Sequence, residues 1–153
     1  LCCLARLRGD VVIALAESGY RHRRGATFSG ARDDATQLVT TFRRRRLSER
    51  NKTAVMVICT PTLLMWPLLM LHLLLLLCEG IVVAVAKWDW RIWGEIYVAA
   101  VRGIWTMRRQ LLSSRQAIQR IRRSTPSNYA YAFRPVAYKL LMLFRHGMPR
   151  VSR

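Results

Sequence analysis

Three histidines, eight carboxylates and four cysteines are the residues of this chain that could carry acid–base, nucleophilic or metal chemistry. His22 stands in the most suggestive surroundings. Arg21, Arg23 and Arg24 flank it, and a neutral imidazole among guanidinium groups suits an anionic ligand, both as a donor and through the local positive field. The same residues also read as a solvated loop histidine among cations. Glu17 has no partner within reach of the sequence and reads as a loop-anchoring carboxylate. Asp33 and Asp34 are adjacent, not at acid–base spacing, and mark a helix start, where carboxylates meet the positive end of the helix dipole. No nucleophile triad is visible. Gly25 to Gly30 lacks the preceding strand and following helix of a phosphate-binding glycine loop. Cys2, Cys3, Cys59 and Cys78 show neither metal-ligand nor disulfide-framework spacing and read as small hydrophobes.

The elements that must position these residues are organised around an apolar run. Ala54 to Cys78 passes twenty-five residues without a charged side chain. At about 1.5 Å per residue a helix of that length reaches roughly 37 Å, against about 30 Å of bilayer hydrocarbon. The run therefore predicts a membrane-embedded helix bent at Pro61 and Pro67. His72 and Glu79 are its polar marks, and a neutral histidine at that depth reads first as one facing protein or snorkelling. Arg43, Arg44, Arg45, Arg46, Arg50 and Lys52 form a polybasic segment just before the helix, suited to anionic lipid headgroups. A further apolar stretch ends at Lys87, and four of the five tryptophans, Trp88, Trp90, Trp93 and Trp105, come within the next eighteen residues. Tryptophan favours the headgroup level. Arg91, Glu95, Arg102 and Arg109 fall within about 40° of one helix face, leaving an apolar remainder. That pattern predicts an in-plane interfacial helix or the second arm of a hairpin.

Charge sets the topology. The formal charge is +18, from 26 basic residues against 8 acidic. Such an imbalance calls for an anionic partner. The arginines flank an apolar helix and lack the interleaved aromatics of a base-stacking surface, so a membrane with anionic lipids is expected, and no nucleic acid. Dense arginine precedes the apolar helix and recurs from Arg108 to Arg123. Keeping both clusters on the cytoplasmic side requires an even number of crossings, or none complete. The basic piece from Met107 to Arg123 is expected to stop at Thr125-Pro126. A short helix is expected at 136–145.

The opening, Leu1 to Arg8 closed by Gly9, predicts a short helix with a glycine C-cap, followed by a buried strand from Val11 to Leu15. A helix from Asp33 or Asp34 to about Phe42 comes next. The start at Leu1 reads as a cut through a larger domain. LCCLARLRGDVVIALAESGYRHRRGATFSG resembles the late part of the catalytic domain of family 2 glycosyltransferases, inverting enzymes of GT-A fold that use nucleotide-diphospho-sugars. The helix ending in Gly9, the strand, Glu17, and His22 with Gly25, Ala26 and Thr27 carry the resemblance. Glu49-Arg50-Asn51 before the apolar run and RQAIQRIRRS from Arg115 to Ser124 extend it, resembling the membrane-associated C-terminal extension of bacterial members. Leu4 and Ala16 stand where arginine and proline are common in the family.

The resemblance implies a mostly α fold for this chain. It comprises the end of an α/β GT-A domain (1–45), a basic juxtamembrane segment (46–52), a hydrophobic membrane helix (53–86), amphipathic basic interfacial helices (87–125) and a tail (126–153). It further implies transfer of a sugar from a nucleotide-diphospho-sugar to a lipid-linked or polysaccharide acceptor in cell-envelope glycan synthesis, at the cytoplasmic face of a bacterial inner membrane. His22 would lie on the donor-diphosphate side, beside or ligating a divalent cation, Mg or Mn. The metal motif and catalytic carboxylate would lie upstream, leaving no catalytic residue in this chain. The rival from another class is a small non-enzymatic polybasic membrane adaptor.

Overall fold

The fold is seen in a computed structural model that describes residues 2–10, 39–131 and 150–152. It is mostly helical. α1 (Cys2–Arg8) closes at Gly9, whose φ of +86° is the left-handed turn that favours glycine. The Asp10 amide bonds back to Ala5 O at 3.0 Å, so the expected C-cap is present. The expected strand from Val11 to Leu15, Glu17, His22, most of the helix begun at Asp33, and the helix at 136–145 lie outside the described residues.

Val39–Thr41 (β1) is extended where the end of that helix was expected. It pairs in parallel with β2 (Arg150–Ser152), Val39 opposite Arg150. β-branched Val39, Thr40 and Thr41 favour a strand over a helix. Thr41 then starts α2 (Phe42–Cys59), its hydroxyl accepting from the Arg44 amide at 3.2 Å. Segment 46–52, read as a basic juxtamembrane segment, lies inside this helix. So do Ala54 to Cys59, which had read as the start of the apolar span.

The break comes at Thr60-Pro61. A residue before proline is pushed to extended backbone, and Thr60 sits at φ −70°, ψ 133°. Pro61 lacks an amide hydrogen and is tolerated where a new helix begins. It introduces α3 (Thr62–Lys87), and Pro67 lies within that helix. α3 ends in a left-handed Trp88 (φ 51°), with the Asp89 amide bonded to Ala84 O at 3.0 Å. A turn leads into a π-helix (Ile92–Val98), α4 (Ala99–Thr106) and α5 (Arg108–Arg120). α5 stops at Arg120. Thr125-Pro126, expected only to end a helix, starts α6 (Pro126–Tyr131), with the Thr125 hydroxyl accepting from the Asn128 amide.

Three long rods pack together: α2, α3, and the run from the π-helix to α5. Arg45 of α2 meets Tyr97 and Val57 meets Leu111, so α2 and the last rod run in the same direction. α3 runs against both, bringing Glu79 to Arg45, His72 to Thr53 and Leu69 to Val57. The core lies along its inner side. Leu76, Val83, Ile92, Ile96 and Tyr97 form one cluster, Val57, Leu69 and Leu111 a second, and Leu7, Cys59 and Tyr129 a third that ties α1 and α6 to the α2–α3 turn. Gly80 sets the closest approach, because a Cβ there would come within 2.7 Å of Tyr97 Cγ and 2.9 Å of Trp93 Cδ1.

Candidate functional site

The distinctive surface is the outer side of α3. Leu63, Trp66, Met70, Leu74, Ile81 and Val85 are all exposed, and at about 100° per residue they share one face roughly 100° wide. Leu68, Leu71, Leu75 and Val82 widen it. Only 28% of the most apolar window of α3 is buried, and its mean hydropathy is 2.6. A soluble core helix would be mostly covered. An uncovered apolar patch of this extent marks a surface meant for another apolar phase or partner.

The exposed surfaces of α2 and of the last rod are cationic. Arg43, Arg44, Arg46 and Lys52 lie on or near the outside of α2, and Arg91, Glu95, Arg102 and Arg109 are all exposed along the last rod, as their spacing predicts. The tryptophans divide. Trp88 is 93% exposed, and Trp90 and Trp105 are also open, with Arg108 stacked over the Trp105 ring at 4.7 Å. Trp93, grouped with them by sequence, is half-buried against Gly80, and Trp66 joins the exposed set.

Between the two faces runs a polar seam. Arg45, read from sequence as a lipid contact, turns inward to pair with Glu79 and with Glu49 at 3.5 Å. Glu49 is wholly buried and also takes Lys52 at 3.0 Å. The Tyr97 hydroxyl lies 3.3 Å from Glu79 Oε1 and 3.4 Å from Arg45 Nη2. Burial pushes the Tyr97 phenol up to about 12, the nearby Arg45 charge pulling the other way and Glu79 adding to the rise. Burial pulls on Arg45 as well, yet Tyr97, Glu79 and Glu49 outweigh it and raise its guanidinium above the ordinary value. The ion pairs of this seam lock the start of α2 to α3 near Glu79.

His72 faces protein, one of the two placements its reading left open. Its Nε2 lies 2.9 Å from the Thr53 hydroxyl, which also donates to Glu49 O at 3.0 Å. At the other end Arg115 is 7% exposed and grips the α2–α3 turn, donating to Val57 O at 2.7 Å, Thr60 O at 2.6 Å and Thr62 Oγ1 at 3.0 Å. Gln119 adds a bond to Ile58 O at 3.2 Å. The carbonyl ends of α2 supply the negative pole that this guanidinium needs. Burial, then Arg122, lowers its pKa.

Sequence reasoning singled out the apolar run and the cation clusters but missed Arg115, Gly80 and the Arg45–Glu79 pair. Those depend on helix packing, although i, i+4 spacing of Arg115 and Gln119 on one face was readable. Among the described residues no group of three or more His, Cys, Asp or Glu could hold a metal ion, and His22 lies outside them. Comparison of the chain with protein-family models, curated proteins and solved structures found no match.

Proposed function

We propose that this chain is a membrane-seating module that lies in the plane of the bilayer surface, with the outer face of α3 in the apolar layer and the cations of α2, α4 and α5 at headgroup level. The observation that carries the reading is the pairing of α2 along α3. The middle of α3 lies near Leu74, level with the stretch of α2 that holds Glu49, Arg50, Asn51, Lys52 and Thr53. The Lys52 side chain is half exposed. Were α3 to cross the bilayer upright, these groups would stand at mid-depth, at about 3 kcal/mol or more for each exposed charge. An in-plane bundle meets no such penalty. It sinks one helix by roughly 5–10 Å and keeps both arginine clusters on one side of the membrane. Exposed Trp66, Trp88, Trp90 and Trp105 suit the interface.

The resemblance of residues 1–30 to family 2 glycosyltransferases supports a longer proposal. On it, the module holds a sugar transferase at the cytoplasmic face of a bacterial inner membrane, where a lipid-linked acceptor lies. The nucleotide-diphospho-sugar and divalent cation would belong to an upstream catalytic half, with His22 beside the diphosphate. The adaptor reading shares the same seating and differs only in what is seated.

Labelling tests the seating. R46C and N128C sit at opposite ends of the bundle, near the Glu79 end and the Cys59 end of the core respectively. With the native cysteines replaced by serine, in-plane seating leaves both sites unreactive to a membrane-impermeant thiol reagent added outside sealed cells, and both reactive after lysis. Labelling of one site alone in sealed cells would mean that α3 crosses. For the transferase proposal, undiminished sugar transfer by the longer protein carrying His22→Ala would remove His22 from the site.

A further inference from the structure

We propose that the cleft between the end of α1 and the end of α5 binds a phosphate-bearing anion of the size of a phosphate or diphosphate group. Its lining is Arg8, Arg120, Ile121, Arg122 and Arg123, and its volume is about 400 Å³, near the lower end of the roughly 300–1,000 Å³ of small-ligand sites. Four of five lining residues are arginines. Two backbone bonds build the cleft, the amides of Arg123 and Ser124 both donating to Leu7 O at 2.8 and 3.1 Å. They pin the end of α1 to the chain leaving α5 and so hold Arg8 against Arg120 to Arg123. Leu7, wholly buried with Cys59 and Tyr129, anchors the arrangement from below. The fold thus fixes the backbone from which these side chains project into the cleft.

The charges in it are poorly balanced. Among the described residues the carboxylate paired to this group is Asp10, 3.6 Å from Arg8 Nε, with both side chains more than half exposed. Arg122 Nη1 is buried without a hydrogen-bond partner, and so is Ser124 Oγ. A buried guanidinium N–H left unsatisfied is unfavourable by more than a surface charge would be. The field also reaches inward, since Arg122 lowers the pKa of Arg115 beyond the effect of burial. A ligand matched to the four arginines of the lining is anionic, rich in acceptor oxygens and small. Phosphate oxygens meet guanidinium forks in paired, charge-assisted bonds, and a single carboxylate cannot engage several forks at once. The two sources of that chemistry are a lipid phosphate headgroup and a soluble phosphate or diphosphate. The assignment does not depend on how α3 meets the membrane.

The test is calorimetric titration of inorganic pyrophosphate into the full chain held in phosphatidylcholine nanodiscs. Saturable binding is expected. The double variant R120Q/R122Q should weaken it by about tenfold or more, while K87Q/R91Q, which removes the same charge elsewhere, should change it less than about twofold. R120Q alone, at an exposed position, should weaken binding with the helical circular dichroism intact, guarding against misfolding of the double variant. Repeating the titration in nanodiscs containing phosphatidic acid separates the sources. Weaker apparent pyrophosphate affinity there supports a lipid phosphate as occupant, and unchanged affinity supports a soluble one. No saturable binding in either disc, or equal losses in both double variants, would overturn the proposal.

Discussion

Replacing Leu63 and Leu74 together by serine separates a membrane-facing surface from a packing surface. The two side chains are 80% and 60% exposed in the bundle. Full burial of a leucine contributes about 1.5–3 kcal/mol, so, scaled by these exposures, the pair contributes roughly 3 kcal/mol to partitioning. The double variant should bind vesicles about 100-fold more weakly, a tenfold change for each 1.4 kcal/mol. Neither side chain packs on the inner core, so unfolding of the detergent-held protein should move by less than about 0.5 kcal/mol. Leu76→Ala is the mirror image. Leu76 is 2% exposed in the cluster with Ile96 and Tyr97, and its truncation should destabilise the bundle by about 2–5 kcal/mol with little effect on partitioning while folded. Sedimentation with vesicles containing phosphatidylglycerol reads the first quantity, and denaturant unfolding followed by circular dichroism reads the second. Raising salt should weaken the arginine contribution and leave the leucine contribution in place. Wild-type partitioning by the double variant, or its collapse in the unfolding assay, would refute the reasoning, since the outer face of α3 would then be either idle or a core.

Gly80→Ala should force α3 away from Tyr97 and Trp93 and destabilise the fold by about 1–3 kcal/mol, measured by the same unfolding assay. Because the Tyr97 phenol in the fold is raised to about 12 from its ordinary 10, the unfolded chain loses that proton first. Stability from this group is full below about pH 10 and falls as pH rises toward 12; Tyr97→Phe should flatten that alkaline decline in unfolding midpoints. Arg115→Met removes the Arg115 bonds to Val57 O and Thr60 O, and amide exchange around Thr60 to Met65 should quicken by roughly tenfold, from about 1–2 kcal/mol of lost bonding.

α3 was legible because its composition leaves one option: an uninterrupted apolar run needs no knowledge of partners. Its start was not. Ala54 to Cys59 are as apolar as the residues beyond Pro61, and only the backbone preference of Thr60 before that proline separates the two stretches. α2 escaped notice for a different reason. Its buried side includes Glu49 and Thr53, polar groups whose burial makes sense only with Arg45, Lys52 and His72 in place. Arg45 likewise looked like one more surface cation, for its partner Glu79 is 34 residues away. The polar stripe from Arg91 to Arg109 was readable because a solvated face depends on spacing alone, whereas Trp93 departed from the other tryptophans because Gly80 leaves room for it.

Trp88 closes α3 in a left-handed conformation that an L residue with a bulky side chain adopts at about 1–2 kcal/mol, and that glycine adopts freely. Its ring is 93% exposed and so recovers little of this within the bundle. Trp88→Gly would therefore give a more stable protein in solution and a poorer one at the lipid interface. A screen for thermostability alone would select that change and, on the proposed in-plane seating, would enrich variants that bind lipid less well.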